Sequence, residues 1–422
     1  MKPQKDSLYR FPWSMNDNPI GWLEITDRCN IYCQGCYRIN GMEGHKPLEQ
    51  IKEEIELLKK WRNCDNISLA GGEPLVHPDI IEIVRHIHER GMKPLILTNA
   101  VKLEDNRPFL EELKRAGATG FTFHIDSFQH RPHWKGKSEQ DLFELRLKLA
   151  RMVKEVKGLY CSFGMTVYPG NLDFVPQMVQ WAVDNIDLVH GLVFITFRNA
   201  ALDGRFDYYV DGKKIEPKVT YVADTDKDAY ITSSDVYATI KEHFDFYEAG
   251  AYLGGTASHD KMTWLSGAMI GSKGHMYGSI GAKVMEFAQT FHHLLYGTYL
   301  VYAPGHKLTK LAWALSLVDK NVRSAHANFW SQLIRNPLLL FKPMYTQTIG
   351  IIQAPDLLED GRIDMCESCP DVTVWKGELV HSCRMDEWRL YGNYVTAHPR
   401  HETVGNLISP DSIEERVTAP GD

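Results

Sequence analysis

From residue 21 onward the chain alternates short apolar runs with amphipathic stretches, through six rounds. The runs at 22–26, 67–70, 94–98, 120–125, 160–167 and 191–197 have the length of strands. The stretches between them, at 48–61, 78–90, 108–116, 138–156 and 172–185, repeat apolar residues at intervals of three and four. Ile51, Ile55 and Leu58 make one helix face; Ile80, Ile83, Val84 and Ile87 make another. Pro78 is placed to open its helix at the first turn, and Gly91 and Gly117 to close theirs. Strands alternating with helices imply a parallel sheet, so the fold class is α/β. Six units rather than eight predict a partial, open (β/α)6 TIM-like barrel.

Barrel folds of this kind place their chemistry where the strands end. The first strand runs into Cys29-Asn30-Ile31-Tyr32-Cys33-Gln34-Gly35-Cys36. Three thiols this close leave one unpaired in any disulfide scheme, but they can wrap a loop around one metal centre. Thiolates suit iron–sulfur clusters and zinc. Structural zinc wants a fourth protein ligand, and none lies beside this run. The plain alternative is three buried thiols. The second strand ends in Gly71-Gly72-Glu73-Pro74, the third in Thr98-Asn99 and the fourth in Asp126-Ser127. By itself a Gly-Gly-Glu-Pro is only a turn signal.

A three-cysteine loop of this spacing, followed at this distance by Gly-Gly-Glu-Pro, resembles the radical S-adenosylmethionine (SAM) superfamily over roughly residues 20–200. The resemblance implies that Cys29, Cys33 and Cys36 bind a 4Fe–4S cluster with one iron open to the amino and carboxylate groups of SAM. It implies reductive cleavage of SAM to methionine and a 5′-deoxyadenosyl radical, which abstracts a substrate hydrogen. Gly71, Gly72 and Glu73 would then face the methionyl amino group, with Glu73 accepting a hydrogen bond from it. Thr98 and Asn99 would also border SAM. Asp126 and Ser127 would meet its ribose or carboxylate, although Asp and Ser also begin turns. Ser162 is a further candidate, and Leu192 or Phe194 could back the adenine or simply pack the core. The family's aromatic residue usually precedes the third cysteine; here Gly35 holds that place and Tyr37 follows, so Tyr37 becomes the cofactor-side candidate. His124, His130 and His133 lack the spacing of a metal site and read as a positioning or proton-transfer group, or as a surface loop. Flavodoxin or ferredoxin would supply the electron.

A second cysteine group, Cys366, Cys369 and Cys383, brackets a hairpin-like segment with its turn at Lys376-Gly377. It resembles the C-terminal extensions in which radical SAM enzymes carry an auxiliary iron–sulfur cluster, here expected to be 4Fe–4S; a zinc ribbon is the alternative. His381 and Asp364 are the nearby candidates for a fourth ligand. Cys64 and Cys161 stand apart and read as core thiols. The expected layout is a leader at 1–17 with Tyr9, Phe11 and Trp13 on the barrel floor, the half-barrel at 18–200, and a mainly helical substrate or cap region at 201–355. A cluster segment at 356–395 and a polar tail at 396–422 complete it.

A net charge of −7 argues against nucleic acid as a partner. Residues 1–16 lack a signal-peptide pattern, and no apolar run reaches the ~18 residues that span a bilayer. The expectation is a cytoplasmic protein, or at most one bound peripherally at a membrane surface. The cap region is rich in aromatic residues and carries Lys307, Lys310, Lys320, Arg323, Arg335 and Lys342. It reads either as a cap packing its own core or as a groove for a long apolar substrate, with cations meeting anionic headgroups. Segment 185–198 loosely resembles its counterpart in tetraether lipid synthases. A lipid or isoprenoid-like substrate is therefore expected; the rival readings are a peptide or protein maturase and a non-catalytic iron–sulfur redox protein.

Overall fold

The computed structural model of the chain describes residues 2–34, 36–197, 205–218, 231–302 and 309–400. After a two-residue strand β1 (Tyr9–Arg10) comes the alternation read from the sequence: β2 (Ile20–Thr26), α1 (Leu48–Arg62), β3 (Asn66–Gly71), α2 (Ile80–Glu89), β4 (Lys93–Thr98), α3 (Arg107–Ala116), β5 (Gly120–His124), α4 (Leu142–Val156), β6 (Tyr160–Val167), α5 (Val175–Asp184) and β7 (Gly191–Thr196). β2 to β7 pair in parallel, each with its neighbour in sequence, as a partial TIM-like barrel requires. Gly117 ends α3 in a left-handed conformation (φ 113°), the cap expected of it. Pro78 lies outside α2, which begins two residues later.

Alternation along the strands separates two faces. Leu23, Ile25, Ile67, Leu69, Phe121, Phe123, Phe163, Met165, Leu192 and Phe194 join Ile51, Ile55, Ile83, Ile87, Leu149 and Val179 of the helices in the main core. Leu192 and Phe194 therefore pack the core and do not face the concave side. Cys64 and Cys161 are buried in the same core, as expected. The opposite, concave face carries Thr122, Ser162, Gly191 and Thr348 in one lateral row. His124, Gly164, Val193, Gly350 and Ser266 form the next, and Thr166, Ile195, Ile352 and Trp264 the one nearest the strand ends.

The region expected to be mainly helical holds helices and also extends the sheet. It contributes the hairpin β8 (Phe206–Val210) and β9 (Lys213–Ile215), then α6 (Ser233–His243), β10 (Ala249–Leu253), β11 (Trp264–Ser272), β12 (His275–Ile280), α7 (Ala282–Tyr296), α8 (Lys320–Arg335) and β13 (Tyr345–Gln353). β13 pairs in parallel with β7, and β11 runs antiparallel to β13, so one eleven-stranded sheet runs β1-β10-β11-β13-β7-β6-β5-β4-β3-β2, with β12 on β11. The glycine-rich span at 250–281 conceals these strands because glycine weakens the apolar alternation that marks a strand. Asp211 and Gly212, both at positive φ, make the turn of the β8–β9 hairpin. Thr232 caps α6 in a capping box with Asp235. Tyr9, Phe11 and Trp13 lie against Ala251 and Leu253 of β10 instead of on the floor.

The C-terminal part forms β14 (Asp356–Leu357), β15 (Ile363–Asp364), the hairpin β16 (Val372–Trp375) and β17 (Glu378–His381), α9 (Met385–Tyr391) and β18 (Thr396–Pro399). β18 pairs with β8, so the expected tail begins as a strand. The rest of it, 401–422, lies outside the described residues, as do Arg198, Asp203, Asp224, Asp226, Asp228 and Lys307.

The buried Asp319 joins two helices. Its carboxylate accepts from Asn321 N and Val322 N at 3.0 Å to cap α8, and from Val284 N at 3.1 Å in α7. Asp319→Ala should cost about 2 kcal/mol in urea unfolding, and Asp319→Asn less, because the amide keeps one acceptor.

Candidate functional site

The cysteine loop leaves β2 at Thr26 and enters α1 at Leu48. Its stem is closed by Asp27, whose carboxylate accepts from Glu43 N at 2.6 Å and Gly44 N at 2.7 Å and pairs with Arg389 of α9. Its middle is pinned to the segment after β5. Gln34 N donates to Phe128 O at 2.9 Å, His130 N donates to Tyr32 O at 2.7 Å, and the Tyr168 hydroxyl donates to Gln34 O. Cys33 thus sits in a bridge opposite Gln129. Past Cys36, the buried Arg38 pairs with Glu24 on β2 and donates to Ser382 O at 2.6 Å.

The Gly-Gly-Glu-Pro tip serves the loop first. Gly71 takes φ 121°, a conformation glycine adopts freely. A Cβ there would strike the Thr26 carbonyl oxygen, and one on Gly72 would strike that of Arg28. The room the glycines leave is filled by the loop's own stem: Gly72 N donates to Thr26 O and Glu73 N to Arg28 O, both at 2.8 Å. The Glu73 carboxylate is buried and accepts three hydrogen bonds. It accepts from the Thr98 hydroxyl at 2.6 Å, Asn99 N at 2.7 Å and Leu75 N at 3.0 Å. Burial pushes its pKa up while these three donors hold it down. Asn99 then donates to Asn30 Oδ1 at 2.7 Å, and its Nδ2 stands 3.8 Å from Cys29 Sγ. The ends of β2, β3 and β4 therefore converge on the first cysteine.

The end of β5 approaches the second cysteine. Asp126 accepts from Phe128 N at 3.0 Å, the turn-capping role open to it, and lies 3.2 Å from His124 Nε2. Its charge and burial both push the Cys33 thiol up. The buried Arg131 opposes it: burial lowers its pKa, while Asp126, Cys33 and Glu73 raise it. Ser127 N donates to Glu139 at 2.7 Å. Ser162 bonds Thr122 deep on the concave face. Tyr37 is exposed, with the Arg38 guanidinium 4.8 Å from its ring centre. Sequence reading missed Asn30, Arg131, Glu24 and Arg38; no motif marks them, because their roles arise from pairing across distant segments.

Burial raises the pKa of Cys29, Cys33 and Cys36 alike. Such thiols become thiolates when a cation stands among them, which suits this donor set to an iron–sulfur cluster. Among the described residues no three His, Cys, Asp or Glu side chains are drawn together around a single ion position.

The second cysteine group packs against the β2–α1 flank. Cys366 is bridged to Gly255, and Cys369 O accepts from the buried Arg62 at 2.8 Å. Burial pushes the Cys366 and Cys383 thiols to about 12, and the neighbouring cysteines add to the shifts of Cys369 and Cys383. Asp364 turns to Ala257 N at 2.8 Å. His381 keeps a buried Nδ1 without a hydrogen bond, and burial lowers its pKa to about 4.

Residues 23–182 match the family model described as the Radical SAM superfamily. The chain is 28% identical over 223 residues to a 7,8-dihydro-6-hydroxymethylpterin dimethyltransferase of Methanocaldococcus jannaschii, covering 51% of this chain and 43% of that one. It is 24% identical over 215 residues to a probable GTP 3′,8-cyclase of the same organism (48% and 66%). It is also 26% identical over 163 residues to the antilisterial bacteriocin subtilosin biosynthesis protein AlbA of Bacillus subtilis (37% and 35%). The alignments thus span between about a third and two thirds of these relatives' lengths. With a matching family model laid over the parallel half-barrel and the three-cysteine loop, residues 23–182 are a radical SAM domain, of the kind that employs a 4Fe–4S cluster and SAM.

Proposed function

We propose that this chain cleaves SAM reductively and abstracts hydrogen from an apolar, lipid or isoprenoid-like substrate. The observation that carries the first part is the convergence of three strand ends on Cys29, through Glu73, Thr98, Asn99 and Asn30. Cys29, Cys33 and Cys36 would hold the cluster, which when bound supplies the electron that splits SAM. Gly71, Gly72, Thr98, Asn99, Asp126, Ser127 and Tyr37 would border SAM. Glu73 acts on it through Thr98 and Asn99, whose positions it sets.

The concave wall supports the substrate reading. Its lower row is polar, with Thr122 bonded to Ser162 at 2.7 Å. Its upper rows carry Val193, Ile195 and Ile352, all half-buried, and no side chain packs closer than 3.8 Å to where a Cβ on Gly164 or Gly350 would stand. An apolar group beside the cysteine loop would lie on this wall, with His124 and Thr166, 3.0 Å apart, at its edge. Cys366, Cys369 and Cys383 would hold an auxiliary cluster that passes an electron or binds substrate, and a flavodoxin or ferredoxin would reduce the protein. The likeness to a bacteriocin biosynthesis protein favours a second reading, modification of a peptide.

Replacing Cys29, Cys33 and Cys36 by Ala should abolish 5′-deoxyadenosine formation; persisting cleavage would reject the assignment. Replacing Cys366, Cys369 and Cys383 should lower iron content while SAM cleavage continues at least in part, and loss of zinc instead of iron would overturn the auxiliary cluster. Glu73→Gln turns an amide NH2 toward at least one of the three donors, Asn99 N when its oxygen keeps Thr98 and Leu75. It should cost about 2–3 kcal/mol of stability. SAM cleavage should slow by roughly 10-fold or more even where the protein stays folded, since about 1.4 kcal/mol of misplacement suffices for that.

A further inference from the structure

Among the described residues no helix is long and apolar enough to cross a membrane. Two helices nevertheless present apolar side chains to solvent. On α7, Phe287, Phe291, Leu294 and Leu295 follow one another at helical intervals, with Leu294 78% exposed. On α8 and the short turn after it, Trp330, Ile334, Leu338, Leu340 and Phe341 do the same, with Ile334 81% and Phe341 82% exposed. Runs of exposed apolar side chains along a helix face mark an interaction surface rather than scattered surface residues.

Both groups lie at one end of the sheet. The close of α7 touches the residues that lead into β2 and β3: His293 pairs with Asp17 at 2.9 Å, and Asn63 donates to Gly297 O at 2.7 Å. The turn after α8 leads directly into β13, and Lys342 bonds Lys273 O between β11 and β12 at 3.3 Å. β13 runs parallel to β7, so this is the end at which the parallel strands begin, opposite the cysteine loop.

Charge selects the occupant. Among the described side chains of 282–342 the charged residues are Lys283, Lys320, Arg323, Arg335 and Lys342 against Glu286 and Asp319, in a chain whose net charge is −7. Glu286 is paired with Lys283, and Asp319 is buried under α8. Exposed apolar side chains with Arg335 and Lys342 beside them, on an otherwise acidic protein, match an anionic bilayer surface, where apolar side chains enter the headgroup boundary and each cation adds attraction. We propose that α7, α8 and the 337–341 turn dock this protein onto an anionic membrane, with the cysteine loop directed away from it. The inference concerns where the chain sits and stands apart from the substrate reading.

Flotation of the full chain with vesicles tests it. The chain should float with phosphatidylcholine vesicles containing phosphatidylglycerol and at least about 10-fold less with phosphatidylcholine alone, and about 1 M salt should release it, because the screening length then falls to about 3 Å. Ile334→Glu with Phe341→Glu, and separately Leu294→Glu with Leu295→Glu, should each reduce partitioning about 10-fold or more. All four side chains are exposed, so unchanged melting temperatures are expected. Arg335→Glu with Lys342→Glu should weaken binding to anionic vesicles alone. Failure of the unaltered chain to float with anionic vesicles, or equal flotation of the Glu variants, would overturn the proposal. So would a dimer, seen by light scattering, that the same substitutions split, since it would give the face to a second copy.

Discussion

The buried carboxylate of Glu73 accepts from the Thr98 hydroxyl and from the amides of Leu75 and Asn99, and so ties the end of β3 to the end of β4. Three donors on one carboxylate, with a smaller contribution from the charge of Arg131, offset part of the cost of burying its charge. The two glycines before it place this carboxylate, because only residues without a Cβ allow β3 to close on the carbonyls of Thr26 and Arg28. The stem of the cysteine loop and the tips of three strands thereby become one hydrogen-bonded unit. A loop carrying three thiols has many conformations of its own; pairing along its stem and across its middle removes most of them before any metal arrives.

Arg38 does for the two cysteine segments what Glu73 does for the strand tips. It is buried two residues after Cys36, paired with Glu24, and donates to the carbonyl of Ser382, the residue before Cys383. Asp386 extends the link, accepting from Ile39 N at 2.6 Å and pairing with Arg389, which in turn meets Asp27 at the loop's stem. Arg62 adds a second tie, reaching Cys369 O from the end of α1. Breaking a buried pair of this kind leaves a charge uncompensated, so the C-terminal segment is bound to the half-barrel by contacts that resist separation. A path of one backbone link and one hydrogen bond runs from the residue after Cys36 to the residue before Cys383.

The half-barrel was legible because its signals are local. Strand length, helical spacing and the glycine caps each reside within a dozen residues, and β6 was bounded correctly from apolar alternation alone. The cysteine loop and the strand-end motifs were legible as contiguous strings. What escaped was long-range. β10, β11 and β13 belong to the same sheet as β7, but nothing local in β13 tells it that its partner lies some 150 residues earlier, and the glycines of 250–281 blur β10 and β11. Glu73 is assigned to SAM by resemblance to the family motif; that its carboxylate also accepts from Thr98, Asn99 and Leu75 follows only from the pairing of β3 with β4. Arg38 and Arg131 carry no motif at all, and their burial depends on partners in distant segments.

Polarity along the concave wall and the position of the apolar helices bear on each other. The wall is hydroxyl-rich where the parallel strands begin and apolar where they end, beside the cysteine loop. Tyr302 closes part of the lower end, its ring 5.6 Å from that of Tyr160, whose hydroxyl meets Thr348 at 3.1 Å. An apolar chain entering from the lower end would first cross that band of hydroxyls, each of which would lose its partner or force a polar group into the chain's path. Entry at the upper end meets no such band, because Val193, Ile195 and Ile352 adjoin the loop directly. Attachment through α7 and α8 at the lower end therefore leaves the apolar part of the wall facing away from the attached surface, and a substrate drawn from a bilayer would have to leave it before reaching Cys29.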